Sequence, residues 1–184
     1  MDRQARHPDE TLTTRATEGD EDAFAVLVRR HGPALLGLAS RLLGDGSEAE
    51  DAVQDSFVQA WRRLPDFRGD AAFGTWMYRI VTNRCLNVLR ARRPATSLDA
   101  VPEPAAPEHQ VSPARAAESH EAMKALSEAM AGLSPEQRVC WVLRELDGLD
   151  YESIARLVGI RQEAVRGRVF RARRYLTEAM VAWR

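Results

Sequence analysis

The sequence predicts an all-α protein: two small helical domains joined by a flexible Pro/Ala-rich linker, the second containing a helix-turn-helix. Apolar residues recur at steps of three and four through most of the 184-residue chain, the period of helices with one buried face, and no stretch alternates as a strand would. From Pro94 to Ala117 the composition shifts to prolines (Pro94, Pro102, Pro104, Pro107, Pro113), alanines and a few acids. That suits an extended tether and leaves no room for a buried element there. Tyr151–Leu176 reads as a short helix, a turn at Gly159 and a second helix with Val165, Val169, Ala172 and Leu176 on one stripe, the outline of a helix-turn-helix.

The chain therefore divides into a loose polar lead-in (1–19), a first domain (20–93), the linker (94–117) and a second domain (118–184). Asp20 is placed to cap a helix bearing Phe24, Leu27, Val28 and His31, and Pro33 to open a second with Leu35, Leu38, Leu42 and Leu43 inside. After the Gly44-Asp45-Gly46 turn, Ser47 and Glu50 have capping-box spacing for a third helix. Its inner stripe is Val53, Phe57, Ala60, Trp61 and Leu64, its outer face Asp51, Gln54, Asp55 and Val58, and Pro65 stops it. The loop Phe67–Trp76 holds two glycines and three aromatics. A fourth helix from about Thr75 to Arg93 places Tyr78, Val81, Cys85, Val88 and Leu89 inward, and Trp76, Arg79, Ile80, Asn83, Asn87 and Arg90 outward. In the second domain a helix spans about Glu118–Ala131. Ser134-Pro135-Glu136-Gln137 is a helix start with Val139, Val142, Leu143 and Leu146 behind it. Asp150 then caps the first helix of the helix-turn-helix.

Charge is segregated although the net charge is only −1. Ala71–Leu98 contains no acid but five arginines, Arg161–Arg184 has seven arginines against two glutamates, and Asp45–Asp55 carries only acids. Basic stretches confined to two places suit a polyanion held at two points. On the second helix of the helix-turn-helix, Glu163, Phe170, Arg171 and Arg174, flanked by Arg166, lie opposite the apolar stripe; an exposed aromatic among arginines fits a face that enters the DNA major groove. The aromatic, basic Phe67–Trp76 loop is what holding unstacked bases requires. Asn83, Asn87, Arg79 and Arg90 have side chains suited to base edges and phosphates.

Catalysis and cofactors find no support. The four histidines are scattered, the carboxylates sit on solvated faces without a histidine or lysine partner, and no Gly-rich phosphate loop follows a strand. Cys85 and Cys140 match no metal spacing and read as reduced, buried residues. The expectation is a non-enzymatic protein without cofactor or metal. No apolar run is long enough for a membrane span and the N-terminus does not resemble a signal peptide, so a cytoplasmic protein without membrane contact of its own is expected.

Three motifs in order give the chain a specific resemblance. Asp51-Ala-Val-Gln54-Asp55-Ser-Phe57 is similar to the polymerase-core binding motif of the extracytoplasmic-function (ECF) sigma factors of the bacterial sigma-70 family. Phe67-Arg68-Gly69-Asp70, Phe73-Gly74-Thr75-Trp76-Met77-Tyr78-Arg79-Ile80 and Asn83 resemble its promoter-melting loop and −10 recognition helix. Leu133-Ser-Pro-Glu-Gln-Arg138, Gly148-Leu-Asp-Tyr151, Ile154-Ala155, Gly159-Ile160 and Val165–Arg173 resemble its −35 recognition domain. The resemblance covers about Asp20–Arg93 and Leu133–Leu176.

It implies a sigma initiation factor that binds core RNA polymerase, recognises −35 and −10 promoter elements and promotes DNA opening. Asp51, Gln54, Asp55, Phe57 and Val58 would meet the clamp helices of the largest polymerase subunit, and the second domain the flap of the second subunit. Phe67, Arg68, Phe73, Trp76, Arg79, Asn83, Asn87 and Arg90 would engage the −10 element, the loop holding a flipped base. Arg161, Glu163, Arg166, Gly167, Phe170, Arg171 and Arg174 would face the −35 element. An anti-sigma factor covering the polymerase-binding surfaces would hold the protein inactive, and in holoenzyme it would sit on the nucleoid. Three positions depart from the usual pattern and bear on which promoter letters are read: Asn87 stands where aspartate is usual, Gly167 where serine is, and Arg161 where a capping residue is common. The rivals are a free-standing helix-turn-helix regulator, which needs neither the aromatic loop nor the acidic helix, and a helical hydrolase, which needs convergent histidines and carboxylates.

Overall fold

The computed structural model describes residues 7–92 and 113–181, and every regular element among them is helical. The first bundle comprises α1 (Asp9–Thr17), α2 (Glu21–Leu43), α3 (Gly46–Arg63), a 3-10 turn (Leu64–Asp66) and α4 (Phe73–Ala91). The second comprises α5 (Pro113–Ala131), α6 (Pro135–Glu145), α7 (Tyr151–Val158) and α8 (Gln162–Ala179). Residues 93–112 of the expected linker lie outside the described residues. From Pro113 the chain is already helical, so α5 begins earlier than the composition implies, at a proline acceptable in a first turn.

The expected loose lead-in contains α1, a correction with a clear cause. Leu12 and Ala16, four residues apart, are fully buried against the bundle, and Thr13 is buried with them, its hydroxyl donating to the Asp9 carbonyl at 2.6 Å. Two polar ties hold the ends. Asp9 pairs with Arg30 and accepts a 2.8 Å contact from His31 Nε2, while Arg15 binds Asp20 at 2.5 Å. Burial works to raise the Asp9 pKa, but the hydrogen bonds from Arg30 and His31 outweigh it and hold the carboxyl below its ordinary value.

The two helices expected on either side of Pro33 are one, α2, with Pro33 in its interior. Proline lacks the N–H that would bond four residues back, a local cost. The buried run Ala23, Val26, Leu27, Leu35, Leu38, Ala39, Leu42 and Leu43 continues through it, and packing along that whole face outweighs the loss. The cap of α3 also differs: Asp45, in extended conformation, accepts from the Glu48 amide at 2.9 Å, so the helix starts before the expected Ser47 box. In α6 the expected box is present, with Ser134 and Gln137 bonding reciprocally.

Helix α4 packs against α2 and α3 on one side and against α6 and α7 on the other. Burial on two sides explains why Ile80, expected outward, is buried together with Met77 and Leu86. Where its first turn crosses α2 the approach is tight: a Cβ on Gly74 would lie 3.0 Å from the His31 ring, which is tied to Asp9.

Candidate nucleic-acid and partner interfaces

The outer face of α3 carries Asp51, Gln54, Asp55 and Val58 into solvent, Val58 with 46% of its surface exposed. Phe57 lies half-buried beneath, edge-on to Phe24 with ring centroids 6.3 Å apart. Beside this face, α2 and α3 leave an open apolar groove of about 740 Å³ in which Gln54, Phe57 and Val58 meet Phe24, Val28, Leu36 and Trp61. Glu50 and Arg62 are the charged residues of its lining, and Asp51 and Asp55 lie on the adjoining outer face of α3; an exposed apolar groove beside an acidic face suits a partner helix with its own apolar stripe and flanking cations. Asp55 is tied to Arg84 at 2.6 Å, whereas Asp51 has neither ion pair nor side-chain hydrogen bond among the described residues.

The expected loop and fourth-helix residues are not all on one surface. Phe73 is 2% exposed, packed on Phe24 and His31, and so cannot stack a base; it is a core residue that anchors the loop, which corrects its assignment. Phe67 and Trp76 are half-buried with their rings 4.9 Å apart and tilted. Arg68, Arg79 and Asn87 are exposed and Asn83 is half-buried. Arg90 is exposed but bound to Glu136 of the second bundle at 2.9 Å. Between the loop and α1 lies a cavity of about 340 Å³, walled by Phe67, Arg68 and Ala72 on one side and Glu10, Thr13, Thr14 and Thr17 on the other. The second wall went unread in the sequence because α1 did; Leu12 and Ala16, spaced as i and i+4, were its only signal.

In the second bundle Asp150 caps α7 by accepting from the Ser153 amide at 2.7 Å, and Gly159 closes it with φ +70°, a left-handed turn that glycine adopts without strain. Helix α8 then buries Val165, Val169, Ala172 and Leu176 and turns Glu163, Arg166, Phe170, Arg171 and Arg174 outward, with Arg161 exposed at its N-cap. Phe170 is 68% exposed. Arg166 lies over the Tyr151 ring at 5.5 Å, and Arg174 bonds Glu178 at 3.0 Å. This is the expected face, complete. Gly167 sits within it, half-exposed; a Cβ there would meet only the tip of the Arg171 side chain, at 3.3 Å, which is free to move. Gly167→Ala is therefore expected to stabilise the protein by about 0.5–1 kcal/mol through helix propensity, read as a rise in melting temperature of a few degrees.

Both cysteines are free and buried, and burial disfavours the thiolate. Burial pushes Cys85 up to about 12, against a smaller opposing effect of Arg84, and burial also raises Cys140. No cluster of three or more His, Cys, Asp or Glu able to hold a metal occurs among the described residues, and no described helix is long and apolar enough to cross a membrane.

Residues 27–94 match the profile of sigma-70 region 2 and residues 123–176 that of sigma-70 region 4. The RNA polymerase sigma-H factor of Pseudomonas aeruginosa is 38% identical over 181 residues, 94% of this chain and 93% of that one. The ECF RNA polymerase sigma-E factor of Salmonella typhimurium is 38% identical over 173 residues, 90% of each chain. Among solved structures, CnrH, determined in complex with the cytosolic domain of CnrY, is 30% identical with a TM-score of 0.66, covering 95% of this chain and 97% of that one. With relatives aligned through both bundles, this chain belongs to the sigma-70 family, as an RNA polymerase sigma factor of the extracytoplasmic-function type.

Proposed function

We propose that the protein acts in the cytoplasm as a non-enzymatic initiation subunit whose two bundles grip a promoter at two points while α3 holds core RNA polymerase. The observation that carries the reading is the arrangement of three exposed surfaces on one chain: the acidic outer face of α3 with the apolar groove beside it, the aromatic loop with its cavity, and the Phe170–arginine face of α8. A free regulator of duplex DNA needs only the last.

In this reading Asp51, Gln54, Phe57 and Val58 dock on the polymerase clamp helices, and the second bundle meets the flap. The cavity between α1 and the loop receives a base flipped from the −10 element. Extrusion costs a few kcal/mol, which stacking on Phe67 and contacts with the hydroxyl and carboxylate wall of α1 offset. Arg79, Asn83 and Asn87 follow the strand from the exposed side of α4. Arg166, Phe170 and Arg171 enter the major groove at −35. An anti-sigma factor holds the protein inactive by covering the α2–α3 groove; the CnrH–CnrY complex, from a chain of similar fold, supports control of this kind.

Mixing the purified protein with core polymerase tests the reading directly. Co-migration on a sizing column is expected, and two separate peaks at micromolar concentrations would sink it. Phe67→Ala should weaken binding of the holoenzyme to a single-stranded −10 oligonucleotide by ~1–3 kcal/mol, roughly 5- to 150-fold, while core association is unchanged.

A further inference from the structure

Helix α4 starts without a side-chain cap. Asp20 and Asp45 accept from first-turn amides of α2 and α3, but Ala72, in the same place before α4, has no side chain that could. Residues 68–72 of the preceding loop are all exposed, so its two ends set its shape. At one end the Phe67 amide donates to the Leu64 carbonyl at 3.0 Å. The other end is positioned by packing. Phe73 is buried there, edge-on to Phe24 with centroids 6.3 Å apart, and meets the His31 ring at 5.4 Å and Trp76 at 6.0 Å. Trp76 in turn lies 4.9 Å from Phe67, which closes a ring of aromatics under the loop.

His31 is itself held, from α1. One carboxylate oxygen of Asp9 pairs with Arg30, and the other takes His31 Nε2 at 2.8 Å. Burial acts against the Asp9 charge, but these two hydrogen bonds keep its carboxyl below the ordinary value, so at neutral pH it only accepts. Nε2 must then carry the proton, which fixes both the tautomer and the orientation of the ring. Another edge of that ring faces Gly74, where a Cβ would lie 3.0 Å from Cε1 and 3.1 Å from Nδ1. Asp9, His31 and the first turn of α4 thus make one line of contact from α1 to the joint of the loop.

We propose that Asp9 and His31 are positioning residues for promoter opening: acting through Phe73, they hold the loop and its cavity in the shape that receives a flipped base. The inference rests on the −10 reading above and extends it to two side chains with no DNA or polymerase contact in that reading. His31 is the cleaner of the two. Asp9 and Phe73 both line the cavity, whereas His31 does not, so an effect of His31 on base binding has to pass through its neighbours.

Two measurements on the full-length protein test this. With fluorotryptophan incorporated, each tryptophan gives its own fluorine resonance, and Trp76→Phe assigns the one at the loop. His31→Ala and Asp9→Ala should each shift and broaden the Trp76 resonance and leave that of Trp61, in the same bundle, in place. With core polymerase bound, each should weaken binding of a single-stranded −10 oligonucleotide by about 10-fold, within what the loss of one base–aromatic stack carries. Affinity for core should stay within about twofold in both. The double variant should bind no more weakly than the worse single variant, because both changes break the same line of contact. A Trp76 resonance unmoved in both variants, an equal shift at Trp61 that marks general loosening of the bundle, unchanged oligonucleotide affinity, or losses that multiply in the double variant would each overturn the proposal. If the wild-type holoenzyme fails to bind the oligonucleotide, the −10 reading falls instead, and the Trp76 resonance alone decides whether Asp9 and His31 position the loop.

Discussion

Asp51→Arg is expected to abolish association with core RNA polymerase while leaving the melting temperature of the free protein unchanged or slightly raised. Asp51 is exposed in the second turn of α3 and has no partner among the described residues that the change would orphan. An arginine there would have Glu48 and Asp55 three and four residues away, both favourable neighbours on a helix. At the proposed interface the same change would remove an acid and insert a cation on the face of α3 that carries Asp55 beside the apolar groove. Breaking and reversing one desolvated charge pair costs roughly 2–5 kcal/mol, a drop of about 30-fold or more in affinity. Titration of labelled core with wild type and variant measures it. An affinity within twofold of wild type would remove α3 from the polymerase interface. Asp55 is the weaker probe, because its pairing with Arg84 offers another explanation for any loss.

Arg171→Ala should weaken binding of the holoenzyme to duplexes carrying the −35 element by ~1–3 kcal/mol, about 5- to 150-fold, and leave core association intact. Arg171 lies mid-helix on α8, exposed beside Phe170, one turn beyond the missing side chain at Gly167. In the proposed −35 contact that gap would let the helix backbone approach the groove, and the guanidinium would then reach base edges rather than phosphate alone. The binding assay separates the two. A lost base contact relaxes sequence preference at one position, whereas a lost phosphate contact weakens all sequences equally and lowers the salt dependence by about one ion. Unchanged transcription from a natural target would contradict the role given to α8.

The second bundle was legible in the sequence from Ser134 onward more than before it, since α5 begins at Pro113 rather than near Glu118. Helices α6 and α7 have caps written locally (Ser134, Asp150, Gly159), and α6, α7 and α8 each bury one face at the 3.6-residue period; Leu146, expected inside, lies past the end of α6 and is 49% exposed, and α8 starts at Arg161 without a side-chain cap. The first bundle was less so, where local signals and tertiary packing disagree. Pro33 reads as a helix start but is overridden by the apolar face running through it. Nine residues with one leucine and one alanine make α1 too weak to announce itself; it is helical because α2 and the loop cover Leu12 and Ala16 and Arg30 and His31 hold Asp9. Phe73 and Ile80 could not be sorted by period, since α4 is covered on two sides. Contacts between the bundles were invisible for a different reason: Asp147 pairs with Arg41 and accepts from the Tyr78 hydroxyl across the linker, and nothing in their local sequence marks them as partners.

That this chain directs polymerase to promoters is tested most directly by transcription start sites. Core polymerase would transcribe total genomic DNA with and without the protein, and the 5′ ends of the products would be sequenced. Starts that appear only with the protein, each preceded by the same pair of elements at fixed spacing, are the predicted result. The same scattered starts in both reactions would contradict it.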